Sequence, residues 1–342
     1  MSPDLSGAAY WLPLIWAGLI AFAVFMYVVM DGFDLGIGLL FPFFPHREQR
    51  DVMTNSVAPV WDGNETWLVL GGAGLFAVFP LAYVTLLPAL YMPLLLMLLG
   101  LVFRGVAFEM RFRAHSDRGR LWWDRAFSGG SYGATICQGI ALGAFVQGVR
   151  VEGRAYAGGW WDWLTPFSLL TAVALLVGYA LLGACWLIWK TEGELQVRLR
   201  RHARALGVAT LGLIGAVSLW MLFLSLPFRE RWLSEPYIYG AAVVPVATLA
   251  LGLVFWRSVR RGEATPFVSA LGLFALSYLG LGVSFWPVMI PPDVTIWDAA
   301  APPESQAFLL VGAAVLVPVI LGYTAFVYWL FRGKVKEGAG YH

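Results

Sequence analysis

The sequence predicts an all-α integral membrane protein with nine transmembrane helices, and three observations predict it. Of the 342 residues, 59% are hydrophobic and 13% charged, against about 25% charged in soluble domains. The runs 10–30 and 163–189 are long enough to cross a bilayer, which takes about 20 apolar residues. Phe, Trp and Tyr reach 15% of the chain, as expected where aromatic belts mark both interfaces. The net charge of +2 is spread over many loops, which argues against a nucleic-acid partner.

The spans fall at about 10–42, 56–78, 80–110, 122–148, 163–189, 205–228, 237–256, 265–285 and 307–331. The first follows "MSPDLSGAAY", which has an Asp and no basic residue. It also outruns an h-region, so it is expected to remain as a span and not to be a cleaved signal peptide. The second begins with polar residues and contains Gly71, Gly72 and Gly74. Its half-insertion, giving eight spans, is the alternative. Pro80 marks the turn into the third span. Pro88 and Pro93 should kink or break that span, and the carbonyls they free need partners inside the bundle. Gly32 and Gly36 have the G-x-x-x-G spacing of close helix contacts.

Basic residues decide between the counts. With nine spans and the N-terminus outside, 19 Lys and Arg lie on the inner side. Only Arg150, Arg154, Arg229 and Arg231 lie outside. The chain thus reads as a single transmembrane domain over 1–342, with its C-terminus in the cytoplasm. Its longest polar connections are 111–125, 190–204 and 286–306. The dipeptide Trp-Asp recurs at 61–62, 123–124, 161–162 and 297–298, a faint sign of duplication or a repeated interface anchor beside a polar cap.

Several chemistries lack their residues. His46, His115, His202 and His342 are all expected in loops or the tail, so no imidazole is expected inside the bundle to hold a haem. No His or Cys pattern has metal-ligand spacing, and Cys137 and Cys185 read as packing residues. There is no P-loop, nucleophile elbow or dinucleotide fingerprint.

Carboxylates are the exception. Asp31 and Asp34, three residues apart, share a helical face near the inner end of the first span. Asp62 and Glu65 repeat that spacing at the inner start of the second. Arg104 and Glu109 lie near the inner end of the third and are candidates for structural ion pairs. Such groups persist in a membrane where they line water, pair with a cation or carry protons. A purely structural role is the competing reading. Acids suit a helix N-terminus, and an Asp31–Arg104 pair would be interhelical glue.

The segments "DGFDLGIG", "NSVAPVWDGNETWLVLGGAGLFAVFPLAY", "FRGVAFEMR" and "MIPPDVTIWDAA" resemble subunit II of cytochrome bd-type quinol oxidases. The "WDGNETW" form is most similar to the cyanide-insensitive branch. The likeness runs through essentially the whole chain, to the closing "AFVYWLFRGKV". It implies two four-helix bundles plus one peripheral helix. It implies a heterodimer in the bacterial cytoplasmic membrane with a subunit I that carries two b-type haems and haem d. Subunit II would bind no haem, and the isolated chain would not be catalytic. The complex would oxidise quinol and reduce oxygen to water without pumping protons. Membrane lipid and quinone surround it, with room for a small third subunit. By the same resemblance Asp62, beside Trp61, matches a carboxylate at the cytoplasmic mouth of a proton channel between subunits. Trp67 matches a tryptophan near an oxygen route. Asp31 and Asp34 match a first-helix acidic motif, and Asp31 and Glu65 are expected to extend the proton path. A proton-coupled transporter is the alternative from a different class.

Overall fold

The computed structural model describes residues 7–224, 228–235 and 237–335. Helix α1 (Ala8–Leu40) runs into a 3-10 turn at Phe41–Phe43 and then α2 (Arg47–Asn55). Next come α3 (Trp61–Val78), α4 (Pro80–Ala89), α5 (Tyr91–Arg113) and α6 (Asp117–Gln147). A hairpin of β1 (Val151–Glu152) and β2 (Ala155–Tyr156) leads to α7 (Pro166–Lys190) and α8 (Gly193–Met221). Then follow α9 (Phe228–Leu233), α10 (Tyr237–Ala241), α11 (Val243–Ser258) and α12 (Thr265–Phe285). A second hairpin, β3 (Val288–Ile290) and β4 (Val294–Thr295), precedes α13 (Ile296–Ala299) and α14 (Pro303–Leu330). Both hairpins are antiparallel.

Two helices form the centre. From Val29 to Leu40 every residue of α1 is buried, and so is every residue of α7 from Gly178 to Ile188. A helix buried on all sides must be surrounded by others. The two meet at glycines. A Cβ on Gly36 would fall onto the carbonyl of Tyr179, and one on Gly183 would come within 2.6 Å of the Gly36 backbone. Gly32, the other member of the G-x-x-x-G pair, faces the Tyr179 ring. Close backbone approach of this kind holds helices together in lipid, where no water drives them. Around this centre α3 and α6 pack on α1, α5 packs on α6, α6 and α8 pack on α7, and α11 pairs with α12. Helix α14 lies against α1 and α3 with only Gln306 fully buried.

Seven segments are long and apolar enough to cross a membrane: α1 with its 3-10 extension, α5, α7, α8, Ile238–Ser258, α12 and α14. The second and fourth expected spans, α3 and α6, are helical but begin with polar turns. At 18 residues, α3 is about 27 Å long, and its first turns carry Asp62, Asn64 and Glu65.

The proline expectation is met at Leu90, where the third span divides into α4 and α5. Pro93 has no N–H for the carbonyl of residue 89, and its ring crowds that carbonyl. Four expectations need correction. The stretch 190–204 is not a polar connection, because α8 starts at Gly193 and not near 205. Leu195, Leu199 and Ala203 recur every fourth residue and are buried against the bundle, a 3.6-residue period masked by the intervening arginines. The stretch 111–125 shrinks to 114–116 between α5 and α6. The third concerns His202, which lies in α8 and not in a loop, with Nδ1 2.9 Å from the Arg198 carbonyl. The sixth span is expected to reach 228, but α8 ends at Met221 and Phe228 begins α9; residues 225–227, Lys336 and His342 lie outside the described residues.

The helix ends at Leu40, Trp61, Arg113, Lys190 and Leu330 gather at one end of the molecule with most of the basic residues; this is the basic end below. The hairpins close the opposite end. There Val149 donates its N–H to Pro291 at 2.9 Å, and Ala301 to Val78 at 2.8 Å. The Tyr156 phenol donates to the Asp162 carboxylate at 3.1 Å, and partial burial with that contact pushes it up to about 12. The four Trp-Asp copies do different work. Asp162 accepts the Gly159 N–H at 2.8 Å, and Asp298 forms a capping box with Thr295. Asp124 enters an ion-pair network, and Asp62 is exposed.

Candidate functional site

The buried carboxylates converge on one guanidinium. Arg104, on α5, is 1% exposed, Asp31 is 0% and Asp34 1%. Arg104 Nη1 donates to Asp31 Oδ1 at 2.6 Å. Its Nη2 stands 3.8 Å from Asp34 Oδ2, and Nη1 stands 3.7 Å from Glu65 Oε2. Three acids from α1 and α3 therefore share one base from α5. The ring of Trp61 lies 5.9 Å from the guanidinium carbon, a cation–π contact that covers its remaining side.

The site opens in one direction. The Glu65 side chain is 28% exposed, and Asp62, one turn earlier and next to Trp61, is exposed. Asp62, Glu65, Arg104 and the two aspartates thus descend from the surface of α3 into the centre. Exposed carboxylates at the start of a membrane helix cannot face hydrocarbon cheaply. The face of α3 that bears them is suited to water or protein.

Neutral groups complete the cluster. Asn64 Nδ2 donates to Asp34 Oδ2 at 2.8 Å, and the Tyr328 hydroxyl of α14 donates to Asn64 Oδ1 at 2.8 Å. Tyr179 donates to Gln138 Oε1 at 3.0 Å, and Gln138 Nε2 donates to the Tyr27 oxygen at 2.6 Å. Tyr27 lies one turn before Asp31 on α1. Asp34 Oδ1 is buried with no hydrogen-bond partner among the described residues. Sequence reasoning assigned none of Asn64, Tyr328, Tyr27, Gln138 or Tyr179. Asn64 carried a signal, as a polar residue inside "WDGNETW". Tyr328 sits in an apolar run and carried none.

Other expected residues lie apart. Glu109 is exposed and joins no ion pair among the described residues; Arg104 spends its pairing capacity on Asp31, Asp34 and Glu65. Trp67 is 2% exposed, and its Nε1 has no hydrogen-bond partner among the described residues. It meets Phe22 edge-on at 5.8 Å between centroids, in an apolar seam between α1 and α3.

A second ionic network, missed in the sequence, ties the basic end together. Arg111, 0% exposed, donates Nε to Asp124 Oδ1 at 2.5 Å and holds Asp51 through Nη2 at 2.7 Å. Arg50 donates to Asp124 at 3.0 Å and to the carbonyls of Phe44 and Phe41 at 2.7 and 3.1 Å. Arg120 adds a contact to Asp51 at 2.5 Å. These contacts fix α2 to α5 and α6.

His46 and His115 are exposed in connections. His202 packs against Phe43 and Phe44 at the basic end. Among the described residues no group of three His, Cys, Asp or Glu is placed to hold a metal ion.

Comparison with known proteins identifies the family. The family described as cytochrome bd terminal oxidase subunit II matches residues 12–331. Cytochrome bd-I ubiquinol oxidase subunit 2 of Escherichia coli K12 is 30% identical over 365 residues, covering 95% of this chain and 96% of that one. Cytochrome bd ubiquinol oxidase subunit 2 of Bacillus subtilis is 28% identical over 335 residues, covering 94% and 96%. A chain of the bd oxidase structure from Geobacillus thermodenitrificans superposes with a TM-score of 0.75 at 16% identity, covering 94% of this chain and 98% of that one. The last supports the fold, and the match over nearly the whole length settles the family: the chain belongs to the cytochrome bd terminal oxidase subunit II family.

Proposed function

We propose that the chain is the haem-free subunit of a quinol:oxygen oxidoreductase and that its carboxyl cluster takes up the protons consumed in making water. It pairs with a haem-bearing subunit I as a heterodimer in the bacterial cytoplasmic membrane. It crosses nine times, with the N-terminus outside and the basic end in the cytoplasm. The haems of the partner supply the electron transfer and oxygen reduction; this chain supplies a scaffold and a path. The helices α1, α3, α5 and α6 form one bundle, α7, α8, α11 and α12 a second, and α14 is peripheral. The helix pairings and the charge bias support that layout.

The observation that carries the proton role is the stoichiometry of the cluster: three carboxyl groups on one guanidinium, with Glu65 half-open and Asp62 at the surface. Uncompensated buried charge is costly, so such a cluster accommodates a proton more easily than a closed one-to-one pair. A positioned carboxyl group is a competent relay. Protons enter at Asp62 beside Trp61, pass Glu65 and reach Asp31 and Asp34. No proton is pumped; those taken up go into water. Trp67 borders an apolar oxygen route. The transporter reading is weaker, because a broken helix and its ligands should meet at mid-membrane. The break at Leu90 lies toward the hairpin end, away from the acids.

An optical spectrum of the tagged chain, purified from its native membrane in mild detergent, tests the assignment. Co-purification of a partner with b- and d-type absorption is expected. A colourless chain, intact and alone, would favour the transporter.

A further inference from the structure

A cavity of about 310 Å³ opens at the basic end between the ends of α2, α7 and α14 and the start of α3. Ser56, Val60, Trp186, Lys190, Tyr328 and Gly333 are among its walls. Trp61, Asp62, Glu65 and Arg104 are not among its lining residues. It has room for several waters, and lysine, serine and tyrosine side chains to hold them.

Its wall is continuous with the carboxyl cluster. Tyr328 lines the cavity, and its hydroxyl donates to Asn64, which donates to Asp34, each at 2.8 Å. Two hydrogen bonds therefore separate the cavity from Asp34. The other Asp34 oxygen, Oδ1, is buried with no hydrogen-bond partner among the described residues, and such an atom is ordinarily satisfied by water. Asp34 faces Arg104 from α5, Glu65 and Asn64 from α3, Asp31 from its own helix and Tyr328 from α14.

We propose that this cavity is a second aqueous entrance to the cluster, closed by the Tyr328–Asn64 pair and serving Asp34 without passage through Asp62. An amide is a poor proton carrier, so Asn64 acts as part of the plug. When the Tyr328–Asn64 bond opens, cavity water reaches Asp34. A hydronium gives its proton to the Asp34 carboxylate and leaves as water, and charge is conserved. The inference rests on the proton-uptake reading above.

The test uses the whole oxidase with Gly333→Cys. A Cβ there meets nothing within 4 Å, so the substitution is expected to fold. A bulky hydrophilic maleimide then fills the cavity mouth. The complex without the added cysteine is the control, since Cys137 and Cys185 are buried. Oxygen uptake and haem absorbance are read before and after labelling, with Asp62 intact and as Asp62→Asn. In the Asp62→Asn background, labelling should lower the remaining uptake by roughly an order of magnitude with haem absorbance unchanged. Complete labelling without that loss overturns the second entrance. If Asp62→Asn alone has slowed uptake, the proton-uptake reading survives that result. Failure of the cysteine to react also overturns it, because the cavity would then be closed to water. Full uptake in Asp62→Asn, labelled and unlabelled, removes both.

Discussion

Arg104 Nη1 stands 2.6 Å from Asp31 Oδ1 with both side chains sealed from solvent. The pair joins α5 to the centre of α1. Its partners are uneven, since the same guanidinium also faces Asp34 and Glu65. The contact is therefore structural and belongs to the group proposed to take up protons.

Removing the cation should be worse than removing one acid. Arg104→Met leaves Asp31 and Asp34 buried without compensation, at a cost of about 3–5 kcal/mol. Arg104→Lys keeps the charge but not the planar fork that reaches several carboxylates, so it should recover only part of the loss. Thermal denaturation of the purified complex, followed by haem absorbance, measures both. Equal midpoints for wild type and Arg104→Met would mean that the ion pair does not hold the helices.

The α1–α7 contact makes a packing prediction. Gly36→Ala drives a methyl group onto the Tyr179 carbonyl, and overpacking of this kind costs about 1–3 kcal/mol. Gly212→Ala on α8 meets nothing within 4 Å and should leave stability unchanged. A lower melting midpoint for the first variant alone is the expected result; matching midpoints would refute the close contact.

The basic-end network should matter for assembly and not for turnover. Arg111→Ala and Asp124→Ala each leave a charged partner in a buried setting. In a double-mutant cycle the two should couple by about 0.5–3 kcal/mol. The yield of complex should fall, while oxygen uptake per haem in the surviving complex stays normal. A drop in uptake per haem would place this network on the proton path.

Much of this was legible in the sequence, for identifiable reasons. Apolar runs over 163–189 and 265–285 gave helices within three residues of their observed ends, because length and hydropathy govern insertion. Pro88 and Pro93 foretold the break at Leu90. The spacing of Asp31 with Asp34 foretold a shared face. The start of α8 was hidden because arginines on its outer face masked Leu195, Leu199 and Ala203. The network of Arg111 with Asp124 and Asp51 was illegible in principle, as it joins residues that only the folded chain brings together. The same holds for Tyr328, which reaches Asn64 across 264 positions. Local spacing finds groups on one helix and is silent on which distant helix supplies the partner.

The central claim is proton uptake through Asp62. Its most direct test is quinol-driven oxygen uptake by the purified complex carrying Asp62→Asn, normalised to haem content. Asp62 is exposed in the single chain, so the substitution should spare folding and leave the haem spectrum intact. Uptake is expected to fall by roughly a hundred-fold, the remainder being carried by the second entrance. Normal uptake at equal haem content would contradict the account and leave the carboxylates of α3 with a structural role.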